Sequence, residues 1–345
     1  MQFKVTENIH KEIFHFYDSD TGEYIASNGN QIDISLRNVS IEIKIPISRW
    51  ESILMNSRLT RRLFRLDKMN VVLNKNNSGV VIIYQSVLYF FSFEERKLIV
   101  TGRLLHARNV LHSSIAVTHK GIYLGEYWGN PNRDKVPIWV SKDDGKSWEI
   151  AYQFPRGSIR HVHGIFDDEF SENLYITSGD LDGECYLIKC NQEFNEIKYY
   201  GDGSQEWRSV NVFFSRSSIF WGMDSPLSTN YIKEFNRHTS SLTTHRKLPG
   251  PAWYGKSLSD GTYLIQTTSE LGPGSPSNYS HVFASCNLKD WIEVSRFKKD
   301  YWPKRFFKFG IINFAEGPQS ITDFVMSGEA LKNFDGITKK GCLFE

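Results

Sequence analysis

Short apolar runs follow one another along most of the chain from about Asn70, separated by turns rich in Gly, Asn, Asp and Ser. The runs are rich in Val, Ile, Tyr, Phe and Trp, which is typical of β-strands. They come in groups of four, and corresponding runs recur roughly 43 to 54 residues apart. Because one four-stranded sheet cannot bury both of its faces alone, a repeat of this kind predicts the packed blades of a β-propeller.

The repeat predicts six blades between Asn70 and Glu345, with seven as the alternative. Three further apolar runs near the N-terminus either complete a blade with the C-terminal chain or form a seventh: Ile13–Tyr17, Ile32–Leu36 and Ile41–Ile45. We therefore expect an all-β propeller over residues 69–345, preceded by a short mixed segment over residues 1–68.

Helical periodicity is confined mainly to Ile47–Leu66, where apolar residues fall three to five positions apart. This spacing predicts one amphipathic helix over about residues 48–66, or two short ones. Four arginines lie on the same stretch: Arg58, Arg61, Arg62 and Arg65. We interpret them as a solvated helix face, with a surface for an anionic partner as the alternative.

Charge and cysteine content narrow the function classes. The 41 Lys and Arg residues nearly balance the 39 Asp and Glu residues, so charge gives no support for a nucleic-acid or membrane-surface partner. Four cysteines in 345 residues do not make a disulfide framework. The N-terminus has no secretory pattern, and the longest apolar stretch, Val80–Phe93, is too short to span a bilayer. We expect a cytoplasmic protein without membrane insertion.

One octapeptide matches a known motif at every specified position. Ser141, Asp143, Gly145, Ser147 and Trp148 fit S/T-x-D-x-G-x-T/S-W. This sequence resembles the Asp-box of sialidases and of the wider BNR-repeat propellers. In such a turn the Asp side chain accepts from turn amides, the Gly adopts positive φ, and the Trp packs between sheet layers. Residues 285–291 resemble a degenerate second copy, and the resemblance implies a structural role at the periphery.

The resemblance implies a propeller but does not carry sialidase activity with it. That family needs three arginines around the substrate carboxylate, a Tyr/Glu pair and an acid Asp. The nearest sequence to its Arg-Ile-Pro motif is Lys44-Ile45-Pro46, which lacks the arginine. Propeller-fold polysaccharide lyases of uronate-containing glycans, which have a His- and Tyr-centred site, are a more distant analogy at the level of the fold.

Acidic residues recur once per blade, in the loops that follow the second strands: Glu126, Asp180, Asp224 and Glu270. We expect them to face one central opening. Such carboxylates repel one another unless a cation, substrate hydroxyls or basic neighbours compensate them. A divalent cation at this opening is therefore one option, although the D-x-D-x-E spacing near Asp180 lacks the full calcium-loop pattern, and no ligand set is assigned.

Basic and aromatic residues precede or begin the innermost strands. His161 and His163 are two positions apart, so they share one face of a strand. We predict catalytic roles for five residues: His161, His163, Asp180, Asp224 and Tyr254. We predict substrate binding by eight: Glu126, Trp128, Arg160, Asp182, Arg208, Trp253, Lys256 and Glu270. The structural alternatives are a packed histidine pair, an acidic turn and inter-blade aromatic packing.

These residue types together favour a carbohydrate-active enzyme with lyase-type or hydrolase chemistry. Aromatic planes suit pyranose faces, His or Tyr can act as a general base, and Arg can neutralise a uronate. The alternatives are a non-catalytic glycan- or protein-binding propeller and a metal-dependent enzyme with His161, His163 and carboxylates as ligands. Residues 250–257 fit GxxxxGK[ST], but a strand follows where a phosphate loop needs a helix, so we interpret the match as chance.

Overall fold

The computed structural model of the protein describes residues 1–37 and 39–344. These residues form seven four-stranded antiparallel sheets, which are the blades of an all-β propeller. The expectation of six blades is therefore wrong, and the alternative of seven is confirmed. By its contacts the chain divides into two compact units, which we call the first unit (Met1–Lys68, Pro226–Tyr231 and His245–Glu345) and the second unit (Met69–Ser225 and Ile232–Thr244).

The seventh blade comes from the N-terminal part of the chain. Its strands follow a first strand that belongs elsewhere: β1 (Gln2–Ile9), β2 (Ile13–Tyr17), β3 (Tyr24–Asn28), β4 (Gln31–Leu36) and β5 (Val39–Lys44). Strands β2 to β5 pair in chain order. The sequence count missed this blade because β3 has only one large aliphatic residue, Ile25, among Tyr24, Ala26, Ser27 and Asn28.

Four blades follow, each made of four consecutive strands. The strands are β6 (Met69–Leu73), β7 (Gly79–Tyr84), β8 (Val87–Ser92), β9 (Lys97–Arg103), β10 (Ile115–Val117), β11 (Ile122–Gly125), β12 (Val136–Ser141), β13 (Glu149–Phe154), β14 (His161–Asp167), β15 (Asn173–Gly179), β16 (Cys185–Asn191), β17 (Ile197–Gly203), β18 (Phe213–Phe214), β19 (Ser218–Gly222), β20 (Asn230–Asn236) and β21 (Leu242–Leu248). In the blade of β7, all six residues of that strand are buried, which explains its continuous apolar sequence.

The last two blades complete the fold. Their strands are β22 (Ala252–Ser257), β23 (Tyr263–Thr267), β24 (Tyr279–Ser285), β25 (Ile292–Lys298), β26 (Ile311–Phe314), β27 (Phe324–Glu329) and β28 (Ile337–Phe344). Strand β1 pairs antiparallel with β28, with Gln2 opposite Phe344, and so supplies the fourth strand of the final blade. Residues 1–68 thus form one whole blade and one strand of another.

The helical segment forms two short helices, which is the second of the two predicted alternatives: α1 (Arg49–Met55) and α2 (Arg58–Phe64). A capping box fixes the start of α1, because Ser48 accepts from the Glu51 amide and the Glu51 carboxylate accepts from the Ser48 amide. The chain is extended at Ser57, with φ −120° and ψ 130°, and this residue separates the helices. One further helical turn, α3, spans Lys304–Phe307.

The arginines of α2 do not form a solvated face, so that interpretation is wrong. Arg58 binds Asp335 through two nitrogens, at 3.2 and 3.1 Å, and also contacts Glu12 and Asp67 at 2.9 Å each. The side chain of Arg62 is only 2% exposed, and it contacts carboxylates of the C-terminal blades. Arg58, Arg61 and Arg62 therefore pair with carboxylates inside the first unit, whereas Arg65, which follows α2, is exposed.

Further buried charges continue this arrangement. Lys308 lies between Asp67, at 2.8 Å, and Glu329, at 2.5 Å, and Lys68 contacts the other oxygen of Glu329. We call Arg58, Asp67, Lys68, Lys308 and Glu329 the ion-pair network. Burial raises the pKa of Glu329, but Lys308 and Lys68 outweigh it and hold that pKa well below its usual range. The network and the Arg58–Asp335 pair therefore link α2 to the last blade through charged contacts.

The octapeptide that matches the Asp-box forms the turn between β12 and β13. The Asp143 carboxylate accepts from the amide and hydroxyl of Ser147, at 2.8 and 2.6 Å, and from the Ser141 hydroxyl at 2.8 Å. Gly145 has φ 100° and donates its amide to Ser141. Trp148 packs against a hydrophobic core cluster. The turn therefore has the internal bonding that its sequence predicts.

Candidate functional site

The histidine pair, His161 and His163, lies at the start of β14, in the second unit. His161 and His163 are 2% and 1% exposed, and their rings lie on the same face with centroids 5.0 Å apart. Strand β14 pairs with β15, where His161 is opposite Gly179. A Cβ on Gly179 would lie 2.8 Å from Cε1 of His163, so the glycine leaves the space that this imidazole occupies.

Three ligand-type atoms meet at this face. Nε2 of His161 lies 3.1 Å from Nε2 of His163, and Oδ1 of Asp180 lies 3.3 and 3.1 Å from these two nitrogens. We call His161, His163 and Asp180 the histidine cluster. Asp180 follows β15 directly, so the loop after the second strand of the blade brings its carboxylate to the start of the innermost strand.

The other ring nitrogens of the histidines fix their tautomers. Nδ1 of His161 lies 2.7 Å from the Trp128 carbonyl, and Nδ1 of His163 lies 3.3 Å from the Ser209 carbonyl. Because a carbonyl oxygen only accepts, each Nδ1 carries a proton and donates it. In the neutral imidazole each Nε2 then presents a lone pair to Asp180. Burial lowers the pKa of His163 to about 4, although the nearby Asp180 carboxylate opposes this.

Two arginines hold the Asp180 carboxylate. Nη1 of Arg160 lies 2.9 Å from Oδ2, and Nη2 of Arg208 lies 3.0 Å from Oδ1. Arg208 also contacts Asp224 at 3.2 Å, and Asp224 lies 4.0 Å from Nδ1 of His163. Burial raises the pKa of Asp180, but the neighbouring histidines and Arg208 lower it by more than burial raises it. The pKa of Asp180 therefore lies well below its usual range. Asp180 is therefore ionised and cannot donate a proton at neutral pH.

The structure thus brings six of the predicted site residues into one connected group: His161, His163, Asp180, Arg160, Arg208 and Asp224. The exposed fraction of the side chain decreases within this group, from 28% for Arg160 to 16% for Asp180 and 3% for Asp224. A ligand therefore meets Arg160 and Asp180 first.

Glu126 is placed differently from the other predicted carboxylates. It is fully buried, and its oxygens accept from the amides of Leu105, His106 and Ala107 and from the indole of Trp139. These bonds fix the loop of residues 105–107 against the second strand of the next blade. Its side chain does not join the histidine cluster, and its bonding is that of a structural residue.

Aromatic rings line the side of His161. The Tyr127 ring centroid lies 4.1 Å from that of His161, and the Trp128 ring stacks on His106 at 4.8 Å. Strand spacing predicts no role for Tyr127, although this residue lies between Glu126 and Trp128 in the loop after β11. Its position next to a strand-starting histidine only becomes visible in three dimensions.

Glu184 holds the acidic loop after β15 in shape, and the sequence pattern predicts no such role for it. Glu184 accepts from the amides of Asp180 and Leu181 at 3.1 and 2.9 Å, and its carboxylate also binds Arg133. Asp182, a predicted substrate-binding residue, is exposed at the tip of this loop. Glu184 therefore positions Asp180 through the backbone.

Four predicted residues belong to the first unit and contact residues of that unit. Lys256 donates to the Gly317 carbonyl at 2.7 Å, and the Glu270 carboxylate accepts from Thr268 at 2.7 Å. Trp253 packs on Phe309, with ring centroids 6.1 Å apart. The remaining residue, Tyr254, is 8% exposed. None of these contacts assigns a catalytic or binding role.

The histidine cluster is also the candidate metal centre among residues 1–37 and 39–344. Its two imidazole nitrogens and one carboxylate oxygen lie within 4.8 Å of one another. No other group of three or more His, Cys, Asp or Glu residues in this described part meets that geometry.

No family model and no curated protein matches the sequence. Among solved structures, 824 chains match the fold. A chain in a crystal structure of the mitotic checkpoint complex aligns with a TM-score of 0.57 and 7% identity, covering 99% of this chain and 92% of its own. The extracellular domain of a hybrid two-component system from B. thetaiotaomicron aligns with a TM-score of 0.55 and 10% identity, covering 99% of this chain and 42% of its own. At these identities the likeness shows the propeller fold alone.

The helices of the described residues are all too short or too polar to cross a membrane.

Proposed function

We propose that this protein is a carbohydrate-active enzyme that cleaves an acidic polysaccharide or glycoconjugate by lyase-type chemistry at the histidine cluster. The observation that carries the proposal is the grouping of two imidazoles, whose Nε2 atoms lack a carbonyl partner, with two arginines and an aromatic wall. This combination suits a sugar that bears a carboxylate. The match of residues 141–148 to the Asp-box supports a place among the Asp-box propellers.

Lyase chemistry requires three functions from such a site. Positive charge neutralises the uronate carboxylate, which acidifies the proton on the neighbouring carbon, C5. A base takes that proton, its electron pair forms the C4–C5 double bond, and the C4–oxygen bond breaks with protonation of the leaving oxygen. Arg160 is the more exposed arginine and binds the carboxylate. His161 and His163 act directly or hold the group that acts, and Tyr127 lies beside His161 as a proton carrier.

Hydrolysis by a carboxylate pair fits this group less well. A glycosidase needs one protonated carboxylic acid and one carboxylate. Asp180 is held ionised by its arginine and histidine partners, and Glu126 is occupied by three amides and an indole. The lyase reaction, which needs no carboxylic acid, is therefore the form of the proposal that we favour.

The test is an assay of the wild-type chain on a panel of uronate-containing and neutral polysaccharides. Ultraviolet absorbance reports the conjugated unsaturated uronate, and reducing-end analysis reports any cleavage. We expect an unsaturated product from at least one uronate polymer. His161→Ala and His163→Ala, each checked for folding, should lower turnover by roughly 10²–10⁴-fold.

A matched pair of arginines tests the carboxylate role. Arg160→Ala should raise KM for the acidic glycan, whereas Arg156→Ala, four residues earlier and 71% exposed, should leave it unchanged. Full activity in both histidine variants would refute the assignment. Measurable glycan binding without any turnover by the wild type would favour a non-catalytic binding propeller instead.

A further inference from the structure

We propose that the histidine cluster binds one divalent transition-metal ion, with Nε2 of His161, Nε2 of His163 and Oδ1 of Asp180 as its protein ligands. The inference goes beyond the proposed function, because metal binding at these atoms can be measured whether or not the protein cleaves a glycan. It also gives the histidines a definite role in that function, which is to hold the ion beside the substrate carboxylate.

The distances between the three atoms fit a common ion. Metal–nitrogen and metal–oxygen bonds of about 2.0–2.1 Å in a tetrahedral site separate neighbouring ligand atoms by roughly 3.3 Å, and an octahedral site by about 3.0 Å. The three observed separations are 3.1, 3.1 and 3.3 Å. Three acceptor atoms this close repel one another unless a proton or a cation lies among them.

The surroundings of the imidazoles are those of metal-ligating histidines. Each Nδ1 donates to a backbone carbonyl, of Trp128 or of Ser209, and this turns the unprotonated Nε2 toward the cluster. Such a hydrogen bond sets the tautomer and the ring orientation of a ligand histidine. Arg160 and Arg208 donate to the carboxylate in the same way that outer partners hold a ligating Asp.

The donor set selects the class of ion. Two imidazole nitrogens and one carboxylate oxygen suit Zn²⁺, Mn²⁺, Fe²⁺ or Co²⁺, whereas Mg²⁺ and Ca²⁺ prefer oxygen ligands throughout. Three protein ligands leave at least one position for water or for a substrate oxygen, as in catalytic rather than structural sites. Partial exposure of Asp180, at 16%, gives that position a route to solvent.

The experiment measures metal directly on the full chain. Protein stripped with a chelator and dialysed against Zn²⁺, Mn²⁺ or Co²⁺ is analysed by elemental mass spectrometry and by calorimetric titration. We expect one ion per chain for the wild type. His161→Gln, His163→Gln and Asp180→Asn should each weaken binding by at least about 100-fold. His119→Gln and His238→Gln, on exposed histidines, should bind as the wild type does.

Two further outcomes decide the matter. A wild-type chain that takes up none of these ions would overturn the proposal, and this result does not depend on the folding of any variant. Binding that survives unchanged in all three ligand variants would overturn it as well. Arg160→Gln separates the two proposals, because it should still bind one ion per chain, with a smaller loss of ion affinity than the three ligand variants show, while losing affinity for the acidic glycan. An ion-bound wild type that cleaves no glycan would remove the proposed function and leave the metal site standing.

Discussion

Gly179 illustrates how one missing side chain shapes the site. Its Cα faces Cε1 of His163, and a Cβ there would also lie 3.2 Å from Cγ of Arg208. Gly129, in the loop that carries the Trp128 carbonyl, has no atom within 4 Å of a Cβ. A side chain at Gly179 would therefore collide with His163, whereas a side chain at Gly129 would have open space.

We predict that Gly179→Ala lowers turnover, or metal affinity where no substrate is known, by about 10–100-fold. The added methyl group forces His163 away from Asp180, and a displacement of about 1 Å can cost roughly 100-fold. Gly129→Ala is the matched control and should behave as the wild type. Steady-state kinetics and calorimetry on both variants check the prediction, and equal effects of the two substitutions would contradict it.

Asp143 is a residue whose role is confined to its own turn. Its carboxylate serves Ser141 and Ser147, and the side chain lies on the surface. Burial raises the pKa of Asp143, but the hydrogen bonds from Ser147 and Ser141 prevail and lower it. Its contribution to stability is therefore present above the ordinary carboxyl pKa and is lost as the pH falls through the lowered value.

Asp143→Ala should reduce the free energy of unfolding by roughly 1–3 kcal/mol, since it leaves turn donors without an acceptor. Ligand affinity should not change. Lys142→Ala, an exposed neighbour in the same turn, serves as the control. Chemical denaturation gives the stability, and a loss of ligand affinity with unchanged stability would refute the structural role of the motif.

At the scale of elements, α2 shows what a sequence pattern conceals. Its arginines occupy positions that periodicity assigns to a polar face, and most of their partners come from distant parts of the chain. Arg58 contacts Glu12, Asp67 and Asp335, and only Asp67 is close to it in sequence. The sequence could therefore predict a helix with basic residues but not the burial of those residues.

Arg58→Ala should cost about 3–5 kcal/mol of unfolding free energy, because it leaves three carboxylates without their shared cation. Arg49→Ala, an exposed arginine at the first position of α1, should cost less than about 0.5 kcal/mol. Urea denaturation of both variants measures the difference. A small effect of Arg58→Ala would contradict this prediction and would mean that solvent or the lysines of the network compensate the three carboxylates.

The pH dependence of stability follows from the carboxylates of the ion-pair network. Burial raises the pKa of Asp67, but Lys308 and Arg58 help to lower it below its ordinary value, and the pKa of Glu329 is lowered further. Groups with a lowered folded-state pKa stabilise the protein above their unfolded pKa, and this stability is lost as the pH falls. We predict a steep loss of stability below about pH 4.5. Glu329→Gln should flatten that slope in denaturation curves, whereas an unchanged slope would locate the acid sensitivity elsewhere.

At the scale of the whole molecule, the sequence predicted five blades strand by strand, because strands β6 to β25 are separated by turns rich in Gly, Asn, Asp and Ser. The count failed at the N-terminus, where β1 is mostly exposed and β3 has only one large aliphatic residue. The site followed the same rule. Strand spacing predicted that His161 and His163 share one face and lie next to the loop of Asp180, which is where these side chains meet. The amides of residues 105–107 that bind Glu126 could not be predicted, because they come from a connection without periodicity.

The pairing of β1 with β28 gives a prediction at this scale. Removal of residues 2–9 should expose the edge of β28, lower the melting temperature and promote aggregation.

A circular permutant is the matched control. It joins Phe344 to Gln2 by a short linker and has its new ends in the exposed hairpin turn at Glu95. Because it keeps β1 paired with β28, it should melt within about 5 °C of the wild type. Thermal unfolding followed by circular dichroism compares the two. A stable deletion variant would show that β1 is dispensable.

The same pairing has a consequence for the protein during its synthesis. Residues 2–9 are made before the other strands of the propeller, whereas their partner, residues 337–344, is made after them. The final blade therefore cannot assemble until residues 337–344 have been made, and a chain cut short before them keeps β1 as an unpaired strand. Such a chain exposes unpaired backbone groups along β1. Proteases and chaperones can bind that edge, which is paired in the complete propeller.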